Sequence, residues 1–158
     1  MNVVILGAAG FIGTNLTLRL LKDADNDITL VDKQEEYFDN IRKYASRDVI
    51  CRTSALDDKT DFDELVMNAD IVYHLVSTTM PTTSNQHISE ELIANVVMSS
   101  KMLEACVRQN VGKVVFLSSG GTVYGTEDRC PINEKNAHRS DKLLRNTEDN
   151  HRKTAVSL

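Results

Sequence analysis

Residues 2–13 read NVVILGAAGFIG. The first half, NVVIL, is short, β-branched and apolar at consecutive positions. A strand buried on both faces, as in a parallel sheet, reads this way. It runs straight into glycines at positions 7, 10 and 13, and then into FIGTNLTLRLLKD (11–23), where Ile12, Leu16 and Leu20 recur at helical spacing. The glycines answer backbone needs. One makes a tight turn, one lets the main chain come close to a pyrophosphate, and one lets the helix pack against the strand. Phe11 and Ile12 open the helix, so its free amides and positive dipole end aim at an anion held over Gly7, Gly10 and Gly13. Three glycines alone also describe a plain strand-to-helix turn. Their position between a strand and a helix favours the phosphate cradle.

A second strand, DITLVD (27–32), ends in Asp32, nineteen residues after Gly13. A ribose-binding carboxylate belongs at about that distance from the last glycine. Such a group accepts hydrogen bonds from both adenosine ribose hydroxyls and repels a 2′-phosphate, which favours NAD over NADP. Lys33 beside it is a contrary signal, because a cation there tolerates the phosphate. No Gly-Lys-Ser/Thr follows the glycines, so a P-loop is excluded.

The alternation continues outward. Residues 35–45 pattern as a helix with Phe38, Ile41 and Tyr44 on one side. Residues 48–53 read as a third strand, and 60–68 as a short helix capped by Thr60. Residues 70–76 form a fourth strand, 89–110 a long helix and 113–119 a fifth strand. Strands alternating with helices mean βαβ units, and hence an α/β doubly wound parallel sheet of Rossmann type with about five strands. This domain is expected over residues 1–137. From 138 to 158 the chain turns polar, with no sixth apolar strand, and reads as a tail without a domain of its own.

The totals bound the rest. The 158 residues carry a net charge of -5, with 41% hydrophobic and 26% charged residues. No basic stripe offers a footprint for nucleic acid. No apolar run approaches the roughly 20 residues of a membrane span. The N-terminus has no basic region ahead of its apolar segment, so it does not read as a signal peptide. Cys51, Cys106 and Cys130 are far apart and odd in number, which fits buried reduced thiols in a cytoplasmic protein. No metal site is expected. His74 reads as a structural histidine, and His87 with Glu90 and Glu91 as a solvated helix face.

Together these residues resemble the extended short-chain dehydrogenase/reductase family, the NAD-dependent sugar-nucleotide epimerases and dehydratases, on their UDP-glucose 4-epimerase-like side. The GxxGxxG spacing of Gly7, Gly10 and Gly13 is that family's form, and Val31-Asp32 matches its ribose carboxylate. YHLVS (73–77) matches its fourth-strand ending, where Leu75 and Ser77 line the nicotinamide side. Asn95 matches an asparagine of the long helix, and SSGGTVYG (118–125) the segment bearing a catalytic hydroxyl. The resemblance implies an NAD cofactor, a nucleotide-sugar substrate and a hydride passed to and from nicotinamide. It covers about residues 1–137.

The departures are specific. The family's adenine-contacting aspartate falls at Ala55, leaving Leu56 to pack on the ring. The usual serine or threonine three positions before VYG falls at Gly120, leaving Ser119 or Thr122 as candidate catalytic hydroxyls. Ordinary strand-end capping also explains Ser118 and Ser119. The family's base is a tyrosine with a lysine four residues on. Ionising a tyrosine at pH 7 costs about 4 kcal/mol, and a lysine one helical turn away lowers that cost. Residues Ile41, Asp48, Ser77 and Asp128 stand four after Tyr37, Tyr44, Tyr73 and Tyr124, so no tyrosine has the lysine. The expectation is a truncated, catalytically incomplete member, lacking the C-terminal part of the family fold. Its last twenty-odd residues would come from an altered reading frame or a divergent end. An uncovered sheet edge next to the fifth strand makes self-association possible. The rival expectation is a non-catalytic dinucleotide-binding or sensor module.

Overall fold

The computed structural model describes residues 1–77, 88–119, 123–124 and 131. The chain divides into two compact units, Met1–Val76 with Lys101–Phe116, and Ser77–Ser100 with Leu117–Leu158.

The first unit holds a five-stranded parallel sheet. Its strands are β1 (Asn2–Leu6), β2 (Asp27–Asp32), β3 (Ile50–Thr53), β4 (Ile71–His74) and β5 (Lys113–Phe116), in the order β3-β2-β1-β4-β5. The chain lays down β1, β2 and β3 in one direction and then returns past β1 to place β4. The order therefore reverses between β1 and β4. A doubly wound sheet opens its crevice at this point, beyond the carboxyl ends of the strands. The run Val3–Leu6 is fully buried, as its unbroken apolar sequence requires of a central parallel strand.

Helix α1 (Phe11–Leu20) follows β1. Its buried residues are Gly13 and Thr17, continued by Leu21, with Leu16 and Leu20 partly buried against the core. Ile12 is 53% exposed, so the inward stripe lies one position round from the apolar spacing. The Thr17 hydroxyl is satisfied by donating to the Gly13 carbonyl at 2.8 Å. Residues 35–45 split into a 3₁₀ turn (Glu35–Phe38) and helix α2 (Asp39–Tyr44). Phe38 and Ile41 are fully buried there, whereas Tyr44 is exposed and lies outside that face. A three-residue step in an α-helix falls about 60° short of a full turn, so Tyr44, three beyond Ile41, lies round from the buried face.

Helix α3 (Phe62–Val66) is capped by Asp61, whose carboxylate accepts the Glu64 amide at 3.0 Å. Thr60 instead closes the preceding turn, its hydroxyl accepting the Asp57 amide at 2.8 Å. The expected single helix over 89–110 consists of α4 (Ile88–Glu91), a π-helical stretch (Leu92–Val97) and α5 (Met98–Arg108). After α5, Asn110 takes a left-handed φ of 55° and the Val111 amide reaches back to the Cys106 carbonyl at 2.9 Å, a helix-ending motif that asparagine tolerates. Among the described residues, no helix is long and apolar enough to cross a membrane.

Candidate functional site

The β1–α1 loop leaves the sheet at the reversal point, and its amides divide into two groups. Those of Gly7 and Ala8 donate to the Val31 carbonyl at 2.9 and 3.2 Å, and that of Ala9 donates to Asp32 Oδ2 at 2.9 Å. These three tie the loop to the end of β2. Beyond Gly10, the Thr14 amide closes the first α-helical turn on the Gly10 carbonyl at 2.9 Å. The amides of Phe11, Ile12 and Gly13 fall in the first turn, where no intrahelical acceptor exists. They form the open N-terminal end of α1, the kind of helix end that suits an anion.

The three glycines have three separate reasons. Gly7 has φ +80°, and an added Cβ would sit 3.1 Å from the Leu75 backbone and from Val76 Cγ2. Gly13 leaves no room at all, since its Cβ would lie 2.5 Å from the carbonyl oxygens of Gly7 and Ala8. Gly10 is different. Its Cβ would meet only the Gly7 carbonyl, at an ordinary 3.5 Å. The protein's own packing therefore does not require glycine there. A molecule approaching the main chain at Gly10 does require it.

Asp32 stands at the end of β2, half-buried, with Oδ2 on the Ala9 amide and Oδ1 accepting the Lys33 amide at 2.8 Å. The Lys33 ammonium lies over the Tyr37 ring, 5.9 Å from its centroid. The Ser54 amide donates to the Asp32 carbonyl at 2.8 Å, which holds the β3 end beside it. A brace missed at the sequence level lies close by in the chain. Glu35 is hydrogen-bonded by Arg42 and by the Thr53 hydroxyl, the latter at 2.9 Å. Arg42 first, and Thr53 second, hold its carboxyl below the ordinary glutamate value. Glu35 and Arg42 are seven apart, outside the three- and four-residue spacings by which helical ion pairs are recognised.

Leu56 adopts φ 48°, a left-handed conformation that strains a branched residue, and it is partly exposed. Strain of about 1–3 kcal/mol at such a position is retained where the surroundings or the function demand it. Leu75 is half-buried against the core, its amide on the Leu6 carbonyl at 2.9 Å. His74 is buried, with its ring edge-on to Phe116 at 5.7 Å.

Ser77 and Ser119 belong to the second unit, both exposed. The Ser119 carbonyl accepts the Val123 amide at 3.0 Å. Asn95 is buried within the π-helical stretch, its side-chain amide donating to the Glu91 carbonyl at 2.9 Å. Thr122, Gly120, His87, Cys130 and the tail from 138 to 158 lie outside the described residues.

A glycine turn with one open glycine and a helix N-terminus at the reversal point, with a carboxylate at the end of the neighbouring β2, define a dinucleotide-binding domain of the doubly wound class. These residues fit an adenine dinucleotide. A family model described as "NAD dependent epimerase/dehydratase family" matches residues 3–147. The chain belongs to that family, whose cofactor is NAD. It is 31% identical over 136 residues to the UDP-glucose 4-epimerase of Mycolicibacterium smegmatis, covering 85% of this chain and 44% of that protein. It is 30% identical over 146 residues to the dTDP-4-dehydro-6-deoxyglucose reductase of Escherichia coli, covering 86% of this chain and 44% of that protein. In fold it matches the UDP-glucose 4-epimerase of Stenotrophomonas maltophila, crystallised with NAD and a formylated UDP-arabinopyranose. That match has a TM-score of 0.89 at 22% identity, over 99% of this chain and 48% of that one. The chain thus spans less than half the length of these relatives.

Proposed function

We propose that residues 1–137 are the NAD-binding domain of a nucleotide-sugar epimerase or dehydratase, UDP-glucose 4-epimerase-like, and that these 158 residues alone bind NAD without turnover. The observation that carries this is the open space at Gly10, between two glycines that packing does explain. The amides of Phe11, Ile12 and Gly13 hold the pyrophosphate, Asp32 the adenosine ribose, and Leu56 the adenine. Leu75 lines the nicotinamide side. Lys33, with its ammonium over Tyr37, leaves Asp32 to set the preference for NAD.

Bound NAD supplies a hydride acceptor. Taking a hydride from a sugar carbon requires a base for the hydroxyl proton. Ser119 and Thr122, candidate hydroxyls by the family resemblance, cannot replace that base, because an aliphatic hydroxyl does not ionise near neutrality. The sequence contains no tyrosine followed four positions later by lysine. The same observation favours a second reading, a dinucleotide-binding or sensor module that performs no chemistry. In both readings the protein is placed in the cytoplasm, and the sheet edge at β5 offers a route to self-association.

The test is NAD binding followed by a turnover assay on UDP-sugars, read from nicotinamide absorbance and sugar products. Binding without turnover is the expected result. Epimerised or reduced sugar from the purified chain overturns the incomplete-enzyme reading. Binding of NAD with no affinity for any UDP-sugar selects the module.

A further inference from the structure

Asp32 is assigned above to the ribose, yet within the protein its side chain also reaches the phosphate loop. Its Oδ2 accepts the Ala9 amide at 2.9 Å, and Ala9 precedes the open Gly10 directly. The neighbouring amides of Gly7 and Ala8 are held by the Val31 carbonyl, so three consecutive loop amides are fixed by two consecutive residues of β2. Only one of the three anchors is a side chain. Main-chain acceptors survive any substitution at position 32, whereas the Ala9 anchor does not. Ala9 also sets the direction in which the chain enters α1, and its carbonyl accepts the Thr14 hydroxyl at 3.4 Å.

We infer that Asp32 is a positioning residue for the pyrophosphate subsite, acting through the Ala9 amide, in addition to its contact with ribose. The inference rests on the NAD-binding reading and extends it, coupling the two halves of the adenosine diphosphate site through one carboxylate. It makes a prediction opposite in sign to a ribose-only role. A carboxylate near a phosphate repels it, so removing a ribose-only Asp32 leaves the affinity for a ribose-free diphosphate unchanged or raises it. Removing a loop anchor lowers that affinity.

The experiment compares the full chain with Asp32→Ala and Asp32→Asn. The asparagine keeps one side-chain oxygen that can accept the Ala9 amide. Amide exchange and nitrogen-proton resonances are followed at residues 7–13, together with binding of inorganic pyrophosphate and of NAD. In Asp32→Ala the Ala9 amide should exchange roughly tenfold faster, as loss of a hydrogen bond to a charged group implies. The Phe11, Ile12 and Gly13 resonances should shift, and pyrophosphate should bind more weakly. Asp32→Asn should restore slow Ala9 exchange while remaining weak for NAD. Unchanged Ala9 exchange in Asp32→Ala, or pyrophosphate bound as well as or better than by the parent, overturns the inference while the NAD site stands. A parent chain that binds no NAD overturns the site itself, and the inference with it.

Discussion

The Cβ that Gly13 lacks would lie 2.5 Å from the Gly7 carbonyl oxygen, well inside the distance any real side chain tolerates. Helix α1 can sit this close to the end of β1 only because nothing projects from it there. Gly13→Ala must push the helix off the sheet or open the loop. An overpacked contact of this kind costs about 1–3 kcal/mol, and more where the obstacle is backbone. The expected outcome is a lower Tm and weaker NAD binding together, measured by thermal unfolding with and without cofactor.

In the proposed site, Asp32 would discriminate between cofactors by charge. Asp32→Ala is expected to weaken NAD roughly tenfold, the scale of losing hydrogen bonds to a charged acceptor, and to penalise NADP less, because repulsion of the 2′-phosphate is relieved. Calorimetric titration of both cofactors into both proteins checks this. An unchanged ratio of NAD to NADP affinity would remove Asp32 from the ribose site.

Arg108 joins α5 to α3 by a forked contact, its Nε and Nη2 donating to the two Asp63 oxygens at 3.0 and 2.6 Å, with Gln109 adding a further bond at 3.1 Å. These donors, Arg108 foremost, hold the Asp63 carboxyl below its ordinary value. The folded state therefore prefers the ionised form. The stabilisation is present above the unfolded carboxyl pKa, near 3.9, and is lost as pH falls through the lower folded value. Arg108→Ala should lower Tm by no more than about 5 °C at pH 7, since the pair is largely solvated. The difference from the parent should shrink below about pH 4. A difference independent of pH would assign the loss to packing.

Cys106 is buried beside Met102, their sulfurs 3.4 Å apart, and burial pushes its thiol up to about 11. At pH 8 only about one thiol in a thousand is then ionised, against roughly a quarter for a free cysteine. Native alkylation read by mass spectrometry should leave Cys106 unmodified until denaturant is added. Cys51, half-buried, is also raised by burial, so it too should label more slowly than a free thiol.

The strand, glycine turn and helix start at residues 2–20 were legible because they depend on local geometry. A buried strand, a glycine turn and a helix start are short-range features, and the nineteen-residue step to Asp32 spans one βα unit. All five strands could be read for the same reason, and DITLVD has the same bounds in the structure as in the sequence. The division of labour among the glycines could not be read. Gly7, Gly10 and Gly13 look alike as letters, and only the positions of Leu75 and the Gly7 carbonyl separate them. Helix interiors fared less well. Tyr44 drifts off the face by the shortfall of successive three-residue steps, and a π-helical stretch around Asn95 has no spacing signature. Asp61 displaced Thr60 as a cap because either residue type serves, and the Asp57 turn engaged Thr60 first.

Titration of NAD into the parent chain and into Gly10→Val, with circular dichroism of both, tests the central claim most directly. The parent should bind NAD, and Gly10→Val should keep its secondary structure and lose that binding, because the Cβ fills space the protein itself leaves open. NAD binding equal in the two proteins, or none in the parent, would contradict the assigned site.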